Sequence, residues 1–469
     1  MCYTNFVPRC LGKSYRYLRY LNWTQFSLEG EIMDFLVCKI PEEIEREGKL
    51  GNFCLALRLI DRWLADERIT EVQRKRLMYE KNRINRILES YPFDEETALK
   101  KAMELIDSFS REEFYHLLSE GYLDYIVVEG KRRFEERFVH NIAFALPLYR
   151  ERLKKDPVAQ KARELLDKRL EELTQGGPPK RYRVRAKITV TIKDDADHFR
   201  VWLPFPKEEL QVCDVKLVST NQRDYFLADN QVSQRTIYFE GKEKEYFVEF
   251  EYTINEWINK VDPEKVEEND LDEFLDEQPP HVVFTPYLKL LTNQVVAGEN
   301  NPYLKAKRIF DWITKHVKYS YVRPYATYEN ISQYVAENLK GDCGFQALLF
   351  ITMCRIAGIP ARWQSGWYIN PLMASPHDWA LFYVKPYGWL PADLSFGGTR
   401  RENEKLRSFY FGNLDGFRMV ANSDFMKDFV PKPNFLRFDP TDNQLGEAES
   451  LSGKVKIESK IEVISFEEI

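Results

Sequence analysis

The sequence predicts an α+β multidomain protein: an N-terminal helical domain, a β-sandwich, and then a domain of mixed helix and sheet that carries the chemistry. Three observations lead there. Apolar residues recur at helical spacing through residues 1–177, which close on Gly176-Gly177-Pro178-Pro179. From Lys180 the pattern switches to period two, with Tyr182, Val184, Ala186, Ile188 and Val190 alternating with charged or polar residues. Further on, Gly341-Asp342-Cys343-Gly344 opens an apolar run that stops at Gly358.

Composition narrows the function classes. A chain of 469 residues has room for two to four domains, at about 150 residues each. Its 44% hydrophobic and 30% charged residues describe a soluble globular protein. A net charge of −6 gives no reason to expect nucleic acid or an anionic membrane as partner. The seven cysteines stand far apart, at 2, 10, 38, 54, 213, 343 and 354, with no CxxC pair. Neither a disulfide framework nor a structural zinc site is expected, and a reducing compartment fits better. The start lacks a basic segment followed by an apolar one, and no 18-residue apolar run occurs. The sequence therefore reads as cytoplasmic, with no signal peptide or membrane span and no cofactor.

In the helical domain, Leu55, Leu59 and Trp63 fall on one face of a helix over Phe53–Ala65. Thr70 with Gln73, and Ser110 with Glu113, are capping boxes, and Asp94 is a third N-cap. Further helices are predicted from about Lys131 to Leu146 and from Pro157 to Thr174. His116 and His140 lack partners at metal spacing and read as surface or packed histidines.

The β-sandwich is assigned to 180–256, from several short strands separated by turn signals. His198 sits in an acidic turn and reads as solvated. Residues 257–283 are dense in Asp and Glu and end in Gln278-Pro279-Pro280. They lack the central glycine and terminal glutamate of a calcium loop, so they read as an exposed acidic linker. The last domain, 284–469, begins with a helix carrying Ala306, Phe310 and Ile313 on one face.

Within it, Asp342 is a plausible N-cap for the apolar helix, and Cys343 falls in its first turn. Unpaired backbone N–H groups there favour a thiolate, so a lowered thiol pKa is expected. Cys354 lies deep in the apolar run and reads as core. Two strand candidates follow: one holds His377 near its start, and the next, Trp389 to Ala392, runs into Asp393. A tight turn between antiparallel strands can bring His377 beside Asp393, and a helix packed across them can bring Cys343 to the imidazole. Thiol, base and orienting carboxylate are what nucleophilic catalysis requires.

These pieces resemble the core of the transglutaminase-like superfamily: Gly341-Asp342-Cys343-Gly344, Gly358-Ile359-Pro360-Ala361-Arg362, His377-Asp378-Trp379-Ala380 and Gly388-Trp389-Leu390-Pro391-Ala392-Asp393. The resemblance covers about Pro302 to Gly397. It implies a papain-like catalytic core with Cys343 as nucleophile, His377 as general base and acid, and Asp393 as orienter, acting on a protein or peptide amide through a thioester. An upstream aromatic, one of Tyr319, Tyr321, Tyr325 or Tyr328, is expected to line the site. Two places depart from the family's pattern: Leu381 replaces an acidic residue four positions after the histidine, and Leu394 replaces the proline after Asp393. Trp363, Trp367, Trp379 and Trp389 either wall an acyl channel or form the sheet's core. The competing readings are a non-catalytic scaffold of the same fold and a glycan-releasing amidase, the latter disfavoured by the missing CxxC zinc site.

Overall fold

A computed structural model describes residues 34–437 and 442–469. The architecture is mixed α/β, with helices and several sheets. The caps read from the sequence are present. Thr70 and Ser110 each accept from the backbone N–H three residues on, with the reciprocal side-chain bond in place, and Asp94 accepts from the Thr97 N–H. One expected helix is shorter than its pattern. Residues 125–134 form a hairpin, Tyr125–Val128 against Lys131–Phe134, and the helix runs only over Phe138–Ala145. The turn is made by Glu129 and Gly130, both at positive φ, a conformation that suits Gly130 and ends any helical register.

Two antiparallel sheets follow. In one, Arg181–Ile192 buries alternate residues and pairs with Glu245–Asn255. In the other, Phe199–Pro204 pairs with Thr236–Gly241. Phe239 meets Tyr246 and Phe205 meets Phe250, ring to ring, joining the sheets in one core. The chain's end returns to these sheets, which corrects its assignment to the last domain. Glu447–Ser450 pairs with Phe199–Pro204, and Ile457–Glu468 runs along the whole of Arg181–Ile192. Ile457–Glu468 is thus an edge strand of the earlier sheet.

The acidic segment is exposed, as expected, with Glu264, Glu268, Asp272 and Glu277 facing solvent, but it is not a free linker. Trp257 and Leu414 exchange backbone hydrogen bonds, the Ala361 N–H donates to the Phe274 carbonyl, and Lys385 pairs with Asp270 at 3.0 Å. Phe274 packs edge-on against Trp389. The acidic segment is a strap along the last sheet, its carboxylates partly neutralised there. That sheet is antiparallel, in the spatial order Gly388–Ala392, Met373–Val384, Ala361–Asn370, Arg418–Asn422. The buried helix Cys343–Ile356 lies against it.

Candidate active site

The Cys343 helix starts where the sequence placed it. Asp342 caps it by accepting from the Phe345 N–H, and Gly358 beyond its end has a φ of 78°. Cys354 is fully buried in the core. Cys343 is half-buried and opens onto a cavity of about 660 Å³. Tyr319, Tyr321 and Tyr325 line this cavity, whereas Tyr328 packs on Phe345. None of the four tryptophans lines it. Trp363, Trp367 and Trp379 are fully buried and Trp389 packs under the acidic strap, so they form core rather than channel.

The helical region supplies part of the wall. Arg137 lines the cavity and stacks its guanidinium 4.6 Å from the Tyr321 ring centroid. Buried Asn141 accepts from the Tyr321 N–H at 2.8 Å and donates to the Tyr321 carbonyl at 3.2 Å. The Tyr79 hydroxyl donates to the Ala326 carbonyl. The aromatic segment leading to Cys343 is thereby held by residues of the N-terminal helical region.

His377 and Asp393 come together as their order predicted. His377 Nε2 lies 2.7 Å from Asp393 Oδ2, and both residues are buried. Asp393 is fixed in turn. Its Oδ1 accepts from the Phe396 N–H and the Ser395 hydroxyl, and its Oδ2 accepts from Arg418 Nη2 at 2.8 Å. Fully buried Arg418, on the strand Arg418–Asn422, also pairs with Asp415. Burial lowers the His377 pKa below the ordinary imidazole value, opposed by Asp393. Burial raises the Asp393 carboxyl, but His377 and Arg418 outweigh it and hold the group below the usual carboxylate value.

Cys343 does not join this arm. Its thiol donates to Asp378 Oδ2 at 3.2 Å, and among the described residues no hydrogen bond links it to His377. Neighbouring residues of a strand project to opposite faces. His377 therefore meets Trp379, Phe396 and Asp393, while Asp378 meets the Cys343 helix. The expected low thiol pKa is corrected as well. Enclosure of the thiol, then the Asp378 and Asp342 carboxylates, push it well above the ordinary value, against the helix start.

Sequence reasoning missed Asp378, Arg418, Arg137 and Gln444. The Gln444 carboxamide donates to Asp378 Oδ1, and its backbone carbonyl accepts from Trp367 Nε1. Asp378 had a legible signal: it is the one carboxylate on a strand face that otherwise carries Ala380, Phe382 and Val384. The others come from distant segments and had none. Among the described residues no group of three or more His, Cys, Asp or Glu is placed to hold a metal ion, and no helix is long and apolar enough to cross a membrane.

Residues 289–394 match the family model of the transglutaminase-like superfamily. An uncharacterized protein of Haemophilus influenzae is 21% identical over 297 residues, covering 52% of this chain and 79% of its own length. Among solved structures, a "putative cysteine protease" from Cytophaga hutchinsonii has a TM-score of 0.40 at 15% identity, with 62% of this chain and 92% of that one covered. The periplasmic domain of TgpA from Pseudomonas aeruginosa has a TM-score of 0.27 at 15% identity, with 51% and 95% covered.

Proposed function

We propose, from the premise that residues 289–394 carry a transglutaminase-like core, that this protein is a cysteine-dependent enzyme acting on peptide or protein amides, with Cys343, His377 and Asp393 as its catalytic set. The observation that supports it is the His377–Asp393–Arg418 chain, standing one residue along the strand from the carboxyl that touches the thiol. Adjacent Cα atoms lie about 3.8 Å apart. The two side chains leave opposite faces of the strand, so bringing the imidazole to sulfur requires a local rearrangement of the strand around His377 and Asp378.

In the proposed reaction His377 removes the thiol proton as sulfur attacks the amide carbonyl. The Cys343 N–H, at the helix start, donates to the developing oxyanion, a contact worth a few kcal/mol in such sites. His377 then gives the proton to the leaving amine, and a thioester remains. Water resolves it in a protease or amidase; a primary amine resolves it in a transglutaminase. Asp393 holds the imidazole tautomer. The substrate class, a protein or peptide, and a cytoplasmic setting belong to the same proposal.

A second reading, a non-catalytic scaffold or interaction protein, is favoured by the thiol's bond to Asp378 and its raised pKa. One experiment separates the two. The full chain is incubated with a denatured protein substrate and a fluorescent primary amine, and amine incorporation and new amino termini are both followed. Either product, absent in C343A, supports the enzyme. Neither product, over a panel of peptides and proteins, favours the scaffold.

A further inference from the structure

Asp378 is held by elements distant in sequence. Its Oδ1 accepts from the Gln444 carboxamide, in the segment after the strand Arg418–Asn422. Its Oδ2 accepts from the Cys343 thiol at 3.2 Å and faces the Tyr325 hydroxyl at 3.4 Å. A Cβ added at Gly344 would stand 2.8 Å from Oδ2 and 2.3 Å from the Tyr325 hydroxyl, so the glycine keeps the space the carboxyl occupies. The residue is 6% exposed. The carboxyl is therefore set against sulfur by its surroundings and is not a surface group that drifts there.

We propose that Asp378 is a positioning residue for Cys343: its carboxyl takes the thiol's hydrogen bond in the resting protein and keeps the proton on sulfur. This gives the reading of Cys343 as nucleophile a resting state; the Asp378–thiol pairing itself does not depend on turnover.

The charges around the pair act in one direction. Asp342 faces it from the cap of the Cys343 helix, with Tyr319 and Tyr325 from the aromatic segment. Asp442 and Gln444 face it from the C-terminal segment, where Gln444 Nε2 also donates to Asp442 at 2.8 Å. Arg137 enters the cavity from the helical region, and Glu447 lines it from the returning strand. His377 and Arg418 lie with Asp393, bonded to its carboxylate. Burial, then Asp442 and Asp342, raise the Asp378 carboxyl well above its ordinary value. Removing both protons from the pair would set two negative charges 3.2 Å apart in an enclosed site. The two groups thus titrate as one coupled unit, and the thiolate is reached late.

The test is iodoacetamide alkylation of the full chain across pH, with each cysteine followed by peptide mapping and exposed Cys54 as internal reference. D378N and D378A both remove the second charge, and D378N also offers an amide N–H to sulfur. The alkylation midpoint of Cys343 should fall by about one pH unit or more in both, making it about tenfold more reactive below the midpoint. Cys54 should not change. A change in packing alone would alter the rate at every pH without moving the midpoint. A midpoint that stays or rises, in either variant with its melting transition retained, overturns the proposal. Because no turnover is measured, a chain that proves inactive on every amide refutes the proposed function and leaves this result standing.

Discussion

Replacing Arg418 by methionine probes the network behind His377 directly. Arg418 is fully enclosed, and its Nη2 lies 2.8 Å from Asp393 and 3.2 Å from Asp415. The Tyr410 hydroxyl donates to the same Asp415 at 2.9 Å. Methionine retains much of the volume, so the loss is mainly electrostatic: two buried carboxylates are left with one imidazole. Removing one partner of a buried ion pair costs about 3–5 kcal/mol. The assay is urea unfolding followed by tryptophan fluorescence on the parent chain, R418M, D393N and the double variant. The double variant should lose less than the sum of the single ones, because D393N removes the charge that R418M strands. A cost below about 1 kcal/mol for R418M, the range of exposed pairs, would refute the reasoning and mean that water reaches this guanidinium.

Three further outcomes are expected. G344A should disturb the site more than the fold, since the added methyl meets Tyr325, Trp363 and Asp378 at 2.3, 2.7 and 2.8 Å; the alkylation profile of Cys343 should shift while far-ultraviolet dichroism stays unchanged. N141A should leave the Tyr321 N–H without its acceptor at a cost of about 1–3 kcal/mol, and amide exchange should rise across residues 319–328. Finally, His281 is fully enclosed, its Nδ1 has no partner among the described residues, and burial pushes its pKa down to about 3. Between that value and its unfolded value near ~6.5 the unfolded chain binds a proton that the folded one does not. Stability therefore falls as pH drops through this window, by about 2 kcal/mol between pH ~6.5 and ~5. H281Q should remove that part of the acid sensitivity in denaturant titrations at the two pH values.

What was legible in the sequence was local. Asp342 and Gly358 bracket the Cys343 helix through chemistry confined to a few residues, and so do the Thr70 and Ser110 capping boxes. The pairing of His377 with Asp393 follows from one tight turn between neighbouring strands. The helix expected from Lys131 failed because hydrophobic spacing over so short a stretch does not distinguish a hairpin from a helix, and the Glu129-Gly130 turn decides it. The remaining misses are tertiary. Gln444 reaches Asp378 across 66 positions and Arg418 reaches Asp393 across 25, and no periodicity encodes such pairs. The helix start by itself favours negative charge at Cys343. It could not show that two carboxylates already stand there.

The most direct measurement of the central claim is to trap the acyl-enzyme. The full chain is mixed with an activated ester, quenched in acid within seconds, and its peptides are mapped by mass. The account predicts one acyl group on Cys343 of the parent chain, its formation slowed at least about a hundredfold in H377A, the range of a lost general base, and absent in C343A. Acylation spread over the exposed cysteines, or an unchanged rate at Cys343 in H377A, would contradict it.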